Sequence, residues 1–412
     1  MKTFKIYKNL VLIGTSSLFI ISSFFDVILF YTFYTLLGSI GVLGLLTVLL
    51  RVGSIVAYIT MPPIFDVLGI KRSYIVLLLL NSVLYLVFIV SVWFWRLGLH
   101  AILILLALSL NSALIVLIFE SMLPEMFSEQ DLIRANAILR VFRFALTPLV
   151  LMIGGVIADL LGYLEVLVII CILLSLNSIM VALATINVEV AQTRSTGGFH
   201  ELSVDTFLEG FKFLLKNKAI LRLMIYTSIA SISMVLITGL YPVAMARVVL
   251  GEKVFYYTLI EAIISITYGA GALATIILYR FLRVRYATFL AISLITLSIL
   301  ITMLSLTITL RSSISMLIAI ALISLVSGTY DNVLTYLYQT NIPLEVRARV
   351  FGVRYLLMLL ASIVGTPIGG WMADLLGLST SIAILSILPL ATGILSLMSK
   401  DLRSLDIKTS QT

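Results

Sequence analysis

Twelve apolar runs, each long enough to cross a bilayer, constrain the fold of this chain more than any other feature. A hydrocarbon core about 30 Å thick takes about 20 residues of α-helix to cross, and it holds no water to satisfy open backbone groups. The runs therefore predict an all-α polytopic membrane protein. They lie near residues 10–34, 40–61, 74–95, 100–123, 138–158, 163–186, 220–243, 255–279, 286–310, 314–338, 351–372 and 378–399.

The composition excludes several other classes of protein. With 61% hydrophobic and 11% charged residues, the chain is not a soluble domain. One cysteine, Cys171, and two distant histidines provide no intrachain disulfide, no metal cluster and no Cys/His catalytic pair. No Gly-Lys dipeptide is present for a phosphate-binding loop. We therefore expect a protein that is not an enzyme and that uses no cofactor and no metal.

The basic residues predict the orientation of the spans. The three lysines before the first run resemble a secretory signal, but that run exceeds 20 residues and contains Asp26, so we interpret it as a retained membrane helix. Of the 27 Lys and Arg, 22 fall on the side of the N-terminus, four on the other side and one, Arg51, within a span. The positive-inside rule then places both termini in the cytoplasm of a multi-pass cell-membrane protein. The same bias explains the net charge of +8, so no nucleic-acid partner is expected.

A nine-residue stretch occurs twice, as GGVIADLLG at 154–162 and GGWMADLLG at 369–377. Seven positions agree at an offset of 215 residues, and in that register Arg134 falls on Arg349. Such self-similarity predicts an internal duplication of a six-helix unit. We expect two pseudo-symmetric six-helix bundles, residues 1–187 and 220–412, in a protein that is a monomer.

Each copy of the repeat predicts a helix end with a close packing surface. The paired glycines (Gly154 and Gly155, Gly369 and Gly370) allow another helix to approach closely, and the final glycine of each copy stops its helix. The two acids of the copies, Asp159 and Asp374, are expected at the outer rim of the membrane.

Residues 188–219 are predicted to join the bundles on the cytoplasmic side. The second part of this linker is amphipathic, with Phe207, Phe211, Leu214 and Leu215 on one face and lysines elsewhere. This pattern is typical of a helix that lies on an anionic leaflet, and it also fits a simple tether between two halves.

Four ionisable residues lie deep inside predicted spans, where each costs about 2.5–3.5 kcal/mol. Asp26 lies roughly 12 Å and Arg51 roughly 16 Å below the outer ends of their spans, so we expect the two to pair or to share a water-filled cavity. A static ion pair that only fixes helix packing is the alternative. Glu261 and Asp331 have no cation in their own spans and are candidates to carry protons. Neutral acids hydrogen-bonded across a helix interface are the alternative for these two.

Aromatic residues on the same spans complete the predicted cavity. We expect contacts to substrate from Tyr34, Tyr58, Tyr241, Tyr330 and Tyr336. Glu120 is interpreted as a solvated helix end at the cytoplasmic rim.

The loop between the second and third spans carries a family resemblance. Its residues Pro62, Ile64, Phe65, Asp66, Gly69, Lys71 and Arg72 resemble the G-x-L-x-D-R-x-G-R-K signature of the major facilitator superfamily. Pro62 replaces the first glycine, Val67 the arginine and Ile70 a further base. The resemblance implies that Asp66, Gly69 and Lys71 form a cytoplasmic gate.

Further motifs resemble the macrolide-efflux and enterobactin-exporter-like branch of that superfamily: residues 123–125 (LPE), 134–137 (RANA) and 347–351 (RARVF). This resemblance implies alternating access of two bundles and export by ion antiport, as in multidrug transporters. The antiporter motif G-P-x-x-G-G is fuller around Pro367 than around Pro148, and residues 101–119 lack the arginine of many proton-coupled relatives.

The function expected is secondary active efflux of a hydrophobic or amphiphilic small molecule from a site between the halves near the membrane midplane, with protons as coupling ion. An uptake symporter for a small anion, with Arg51 as ligand, is the first alternative. A membrane-embedded enzyme or lipid-handling protein is the second, although it lacks a visible cluster of catalytic groups.

Overall fold

The computed structural model describes residues 2–95, 98–127, 131, 135, 139, 145–188, 204–282 and 286–402. The predicted twelve spans are present there as helices. Ten are long and apolar enough to cross a membrane, and two shorter apolar helices cover Ile40–Gly53 and Thr147–Leu161. The predicted all-α transmembrane fold is therefore confirmed.

The helices are numbered α1 to α14 in chain order. They are α1 Lys2–Leu37, α2 Ile40–Leu68, α3 Ile70–Trp95, α4 Leu99–Met126, α5 Thr147–Leu161, α6 Tyr163–Ile186, α7 Val204–Lys216, α8 Lys218–Val235, α9 Val254–Leu282, α10 Tyr286–Thr309, α11 Ser313–Asn341, α12 Leu344–Leu376, α13 Leu378–Leu385 and α14 Ile387–Met398.

The chain divides into two compact units. Unit 1 comprises residues 1–33 and 46–200, and unit 2 comprises residues 34–45 and 201–412. The short segment 34–45, which joins α1 to α2, therefore belongs to the same compact unit as the C-terminal helices. The sequence predicted a single division, in the central linker. It contained no sign that segment 34–45 belongs to the same unit as the C-terminal helices.

In unit 1, α3 packs against α4 and α6. Buried amides and hydroxyls tie these three apolar helices together. Asn111 donates to the Asn81 side chain (3.1 Å), Asn81 donates to Ser178 (3.0 Å), and Ser82 pairs with Ser175 (2.6 Å). Because lipid offers no competing partners, such bonds are the means by which polar side chains can be kept inside a bundle.

In unit 2, α9 and α11 cross with their backbones in contact. A Cβ atom on Gly271 would overlap the Leu325 carbonyl, and one on Gly328 would overlap the Tyr268 carbonyl. The Thr329 hydroxyl donates to the Gly271 carbonyl across the crossing (3.0 Å). The two glycines therefore fix how closely these helices approach.

The helix that follows α8 is irregular near a proline. Two π-helical turns, Leu236–Leu240 and Ala246–Leu250, flank an α-helical turn, Pro242–Met245. The backbone N–H of Tyr241 bonds to the Leu236 carbonyl at 2.8 Å, a five-residue step. Pro242 has no N–H to continue the regular pattern, so the wider turn absorbs the break.

Both copies of the repeat end their helices as predicted. α5 ends at Leu161 and α12 at Leu376, and the following residues, Gly162 and Gly377, have φ of +102° and +84°. This left-handed region is accessible to glycine at little cost, which explains the helix stop. Arg134, the residue aligned with Arg349, lies outside the described residues.

The packing glycines and prolines occupy different settings. Gly154 and Gly155 are buried, and a Cβ on Gly154 would overlap the Phe24 ring of α1. Gly369 faces the Leu236 side chain in the same close manner. Three further residues of this group are Gly370, which lies against the start of α2, Pro148 at the start of α5, and Pro367 inside α12.

The amphipathic part of the linker is helix α7, which packs on α12. Leu214 is fully buried, while Phe211 and Leu215 remain 40% and 55% exposed beside the exposed Lys212 and Lys216. The helix therefore uses one apolar residue for the bundle and leaves two more beside its lysines. Residues 189–203 lie outside the described residues.

Candidate functional site

A cavity of about 660 Å³ lies inside unit 1, and α1 to α4 supply most of its walls. Its charged lining residues are Asp26 on α1, Arg51 on α2 and Glu120 on α4. Two of the four deep charges predicted from the sequence are therefore brought to one cavity. The side chain of Asp26 is exposed in this cavity, as expected of a carboxylate inside the membrane that faces an open space.

Neutral polar residues and aromatic rings complete the lining. The polar members are Ser16, Ser22, Ser23, Thr47, Asn81, Tyr85, Ser109, Ser112 and Thr147, and the phenylalanines are Phe19, Phe25, Phe30 and Phe119. Phe25 packs edge-on against Tyr85 with the ring centroids 5.4 Å apart, and Phe19 meets Phe119 at 6.1 Å. The cavity thus presents both hydrogen-bonding groups and fixed aromatic surface.

Glu120 corrects one interpretation of the sequence. It was expected to be a solvated helix end, but α4 continues to Met126, and the exposed side chain of Glu120 lines the cavity. The apolar run in the sequence ends near Glu120, although the helix itself continues. The end of a helix is harder to predict from sequence than its presence.

The other two deep acids belong to unit 2. Asp331 accepts a hydrogen bond from the Tyr268 hydroxyl at 2.8 Å, across the α9–α11 crossing. The Arg354 guanidinium of α12 interacts electrostatically with Asp331 and stacks over the Tyr338 ring at 4.7 Å. Glu261 is partly exposed on α9. Neither Asp331 nor Glu261 is among the residues that line the unit 1 cavity.

The environment of Asp331 contains groups that the sequence did not single out. Arg354 was counted only as a cytoplasmic base, although α12 carries it into contact with Tyr338 and Phe351. The Tyr330 hydroxyl and the Nε atom of Arg354 are buried and have no hydrogen-bond partner within the described residues. The unit 2 polar cluster, defined as Tyr268, Tyr330, Asp331, Tyr338 and Arg354, therefore retains unused donor capacity next to an acid.

The tyrosines predicted to contact substrate have diverse surroundings. Tyr241 is fully buried, and its hydroxyl lies 2.7 Å from both the Gly369 carbonyl and the Ser381 hydroxyl. Tyr336 is partly exposed and meets Tyr286 with ring centroids 5.0 Å apart. Tyr34 lies under the Arg247 guanidinium at 5.7 Å. The side chain of Tyr58 lies outside the described residues.

Two of the three predicted gate residues are described. Gly69 has φ of +75° between α2 and α3, a turn that favours glycine. The Lys71 ammonium donates to the Ile186 carbonyl at the end of α6 (2.8 Å), a favourable place for a cation. The side chain of Asp66 lies outside the described residues.

No group of three or more His, Cys, Asp or Glu that might hold a metal ion occurs among the described residues. The cysteine, Cys171, is buried. The polar groups that the structure places at the two sites are carboxylates, hydroxyls and guanidinium groups, together with the Asn81 amide in the unit 1 cavity.

The comparison with protein families decides the class. Residues 11–366 match the Major Facilitator Superfamily. The chain belongs to this superfamily. It is a membrane transporter for a small molecule and not an enzyme. No curated protein sequence matches it significantly.

Solved structures of other members share the fold of this Major Facilitator Superfamily protein. A variant of the nucleoside transporter NupG aligns with a TM-score of 0.74 and 12% identity, over 95% of this chain and 99% of that one. The D-xylose-proton symporter aligns at 0.72 and 12%, over 95% and 97%. A bacterial homologue of the iron transporter ferroportin, in an inward-facing state, aligns at 0.68 and 13%, over 98% and 99%. At these identities the likeness shows the fold alone.

Proposed function

We propose that this transporter exports a hydrophobic or amphiphilic small molecule by alternating access, in exchange for protons and with both termini in the cytoplasm. The observation that best supports this proposal is the mixed lining of the unit 1 cavity, where phenylalanines face the same space as carboxylates and hydroxyls. Its volume of about 660 Å³ suits a drug-sized molecule, for which sites of roughly 300–1,000 Å³ are usual.

The charge of the cavity favours a neutral or cationic substrate over an anion. Its lining holds two acids, Asp26 and Glu120, against one base, Arg51. An anion would meet one attractive and two repulsive charges, in a setting where water screens them poorly. The resemblance of several motifs to drug exporters points in the same direction.

Proton coupling is proposed for the two acids of unit 2. Asp331 is held by a tyrosine hydroxyl beside a guanidinium group, and Glu261 lies on the adjoining helix. A cation that moves towards or away from a carboxyl group changes how readily that group releases its proton. Proton coupling is named for one structural neighbour, the D-xylose-proton symporter, and we extend it to this chain.

The proposal is tested with the full-length protein in proteoliposomes under an imposed pH gradient. We expect transport of a lipophilic cation, tetraphenylphosphonium, and about a tenfold loss in kcat/KM for Asp26→Asn and for Glu120→Gln, since each removes one charge interaction. Glu165→Gln is the matched control, because Glu165 is exposed on α6 and lies outside the cavity lining. Equal loss in the control, or no loss in either cavity variant, contradicts the proposal.

Uptake of a small anion by proton symport is the second candidate, because Arg51 lines the same cavity. The direction of flux separates the two functions. Antiport predicts that substrate and protons cross sealed vesicles in opposite directions, whereas symport predicts the same direction. An organic anion carried together with protons, with loss in Arg51→Gln, would establish this candidate instead.

A further inference from the structure

The acid in the second copy of the repeat caps the start of α2. The Asp374 carboxylate accepts hydrogen bonds from the Ser39 hydroxyl (2.6 Å) and from the backbone N–H groups of Ile40 and Gly41 (2.9 Å each). The first N–H groups of a helix have no partner within the helix, and the helix dipole favours a negative charge there. Asp374, which is 335 residues from Ser39 in the sequence, thus provides what a local capping residue usually provides.

Gly370 of the repeat and Gly44 of α2 allow the two backbones to come close enough for this cap. A Cβ on Gly370 would lie 2.6 Å from the Ile40 carbonyl oxygen, and a Cβ on Gly44 would lie 2.7 Å from the Thr366 carbonyl oxygen. Any larger residue at either position would push α2 away from α12. Gly370 and Asp374, four positions apart on α12, therefore act together, and this gives the second copy of the repeated motif a physical role.

The capped segment is a short excursion of the chain. Residues 34–45 belong to unit 2, whereas the chain before and after them belongs to unit 1. Besides the cap and the close glycine contacts, the segment places the Tyr34 ring under the Arg247 guanidinium (5.7 Å). Gly38, with φ of +64°, forms the turn between α1 and α2.

We propose that Asp374 is a releasable clasp. It holds segment 34–45 on unit 2 in one state of the transporter and releases the segment when the transporter opens at this end of α12. The idea of two states rests on the proposed alternating access. Release leaves little unsatisfied, because Ser39 also accepts a bond from the Val42 N–H (3.1 Å) and remains as a local cap. Asp374 itself is exposed, so water replaces its partners as they part.

The charged and titratable groups that the described residues place around the clasp include two tyrosines, an arginine and a glutamate. Tyr34 and Tyr241 interact electrostatically with Asp374, and Arg247 reaches Tyr34 while forming an ion pair with Glu252 at 3.1 Å. Within the described residues no cation forms an ion pair with Asp374. The clasp is therefore held by hydrogen bonds to a helix start, and replacing the carboxylate removes most of it.

Two measurements on the full-length protein test the clasp, and neither uses a transported substrate. The first is hydrogen–deuterium exchange in lipid nanodiscs, where we expect the amides of residues 40–42 to exchange about tenfold faster in Asp374→Ala, with a smaller rise in Asp374→Asn. The second uses Phe30→Cys, a cavity position, in a Cys171→Ser background. In sealed proteoliposomes we expect labelling by an impermeant maleimide to become about fivefold faster from one side and slower from the other when Asp374 is replaced by Ala.

The two readouts separate a clasp from a static cap. Faster exchange at residues 40–42 with unchanged labelling at position 30 means that Asp374 only stabilises the helix start, and it overturns the proposal. Unchanged exchange overturns it as well. Glu165→Ala is the control and should alter neither. Failure to transport amphiphiles would leave both readouts intact, so the clasp and the proposed function fail independently.

Discussion

At the scale of single residues, Asp331 is the membrane carboxylate with the best defined surroundings. It accepts a hydrogen bond from Tyr268 and interacts electrostatically with Arg354, and within the described part of the chain it forms no ion pair. A carboxylate in this position can lose a proton while the guanidinium balances the charge. We therefore propose that Asp331 and Arg354 act together in proton coupling.

We expect Asp331→Asn to abolish the response of transport to a pH gradient, because an amide cannot take up or release the proton. Substrate exchange without a gradient should persist, since the cavity of unit 1 is untouched. Glu261→Gln tests the second acid in the same assay, and Asp401→Asn is the control, because Asp401 forms an exposed ion pair with Arg222. If gradient-driven transport in both the Asp331 and Glu261 variants equals that of the unaltered protein, neither acid couples protons.

At the scale of helices, the α9–α11 crossing positions the unit 2 polar cluster. The close approach at Gly271 and Gly328 brings Tyr268 of one helix to Asp331 of the other. The Asn332 side chain adds a bond to the Ala272 carbonyl (3.2 Å). Packing and chemistry are thus linked, because any residue that separates these helices also moves the tyrosine away from the acid.

Gly328→Ala should lower the free energy of unfolding by about 1–3 kcal/mol, since its methyl group would overlap the Tyr268 backbone. Gly352→Ala on α12 is the matched control: a Cβ there meets nothing within 4 Å, so the change should be neutral or stabilise by up to about 1 kcal/mol. Denaturation of the detergent-solubilised protein measures both. Equal stability of the two variants would show that the crossing is not tight.

Helix α7 carries a prediction about lipid. Its exposed Phe211 and Leu215 adjoin exposed lysines, which suits the surface of an anionic leaflet. The triple change of Lys212, Lys216 and Lys218 to Gln should remove any stimulation of transport by anionic lipid, since each lysine near such a surface contributes about 1 kcal/mol. Lys253→Gln, an exposed lysine before α9, is the control. Equal rates in anionic and neutral vesicles for the unaltered protein would leave α7 as a tether only.

At the scale of the whole molecule, some features can be predicted from the sequence because the lipid environment makes them depend only on residues that are close together in the chain. The span count, the helix ends at Gly162 and Gly377, and the deep charges Asp26 and Arg51 of the cavity depend on hydropathy and on one residue at a time. The cap of α2 by Asp374 could not be predicted in this way, because it joins groups more than 300 residues apart. Neutral lining residues such as Asn81 were missed for a related reason: side chains without charge do not stand out against an apolar span, although they line the cavity as Asp26 does.

The exchange of segment 34–45 between the units makes a prediction about the central linker. If residues 188–219 are a tether, cutting the chain there should leave the two pieces associated, because the N-terminal piece still contributes the segment that belongs to unit 2. A protease site placed between Thr196 and Gly197 provides the cut, and co-purification of the pieces in mild detergent measures association. We expect the cut protein to keep most of its transport and its intact size on gel filtration.

The same cut protein can be used to measure how much the Asp374 cap contributes to the association of the two pieces. Loss of three hydrogen bonds to a carboxylate should increase the dissociated fraction in Asp374→Ala, whereas Glu165→Ala should behave as the unaltered chain does. Pieces that separate at once, with Asp374 intact, would mean that the covalent linker and not segment 34–45 keeps the chain together. Pieces that stay together in every variant would mean that association depends on contacts other than the cap. The role of the cap would then be limited to holding segment 34–45 in one state of the transporter.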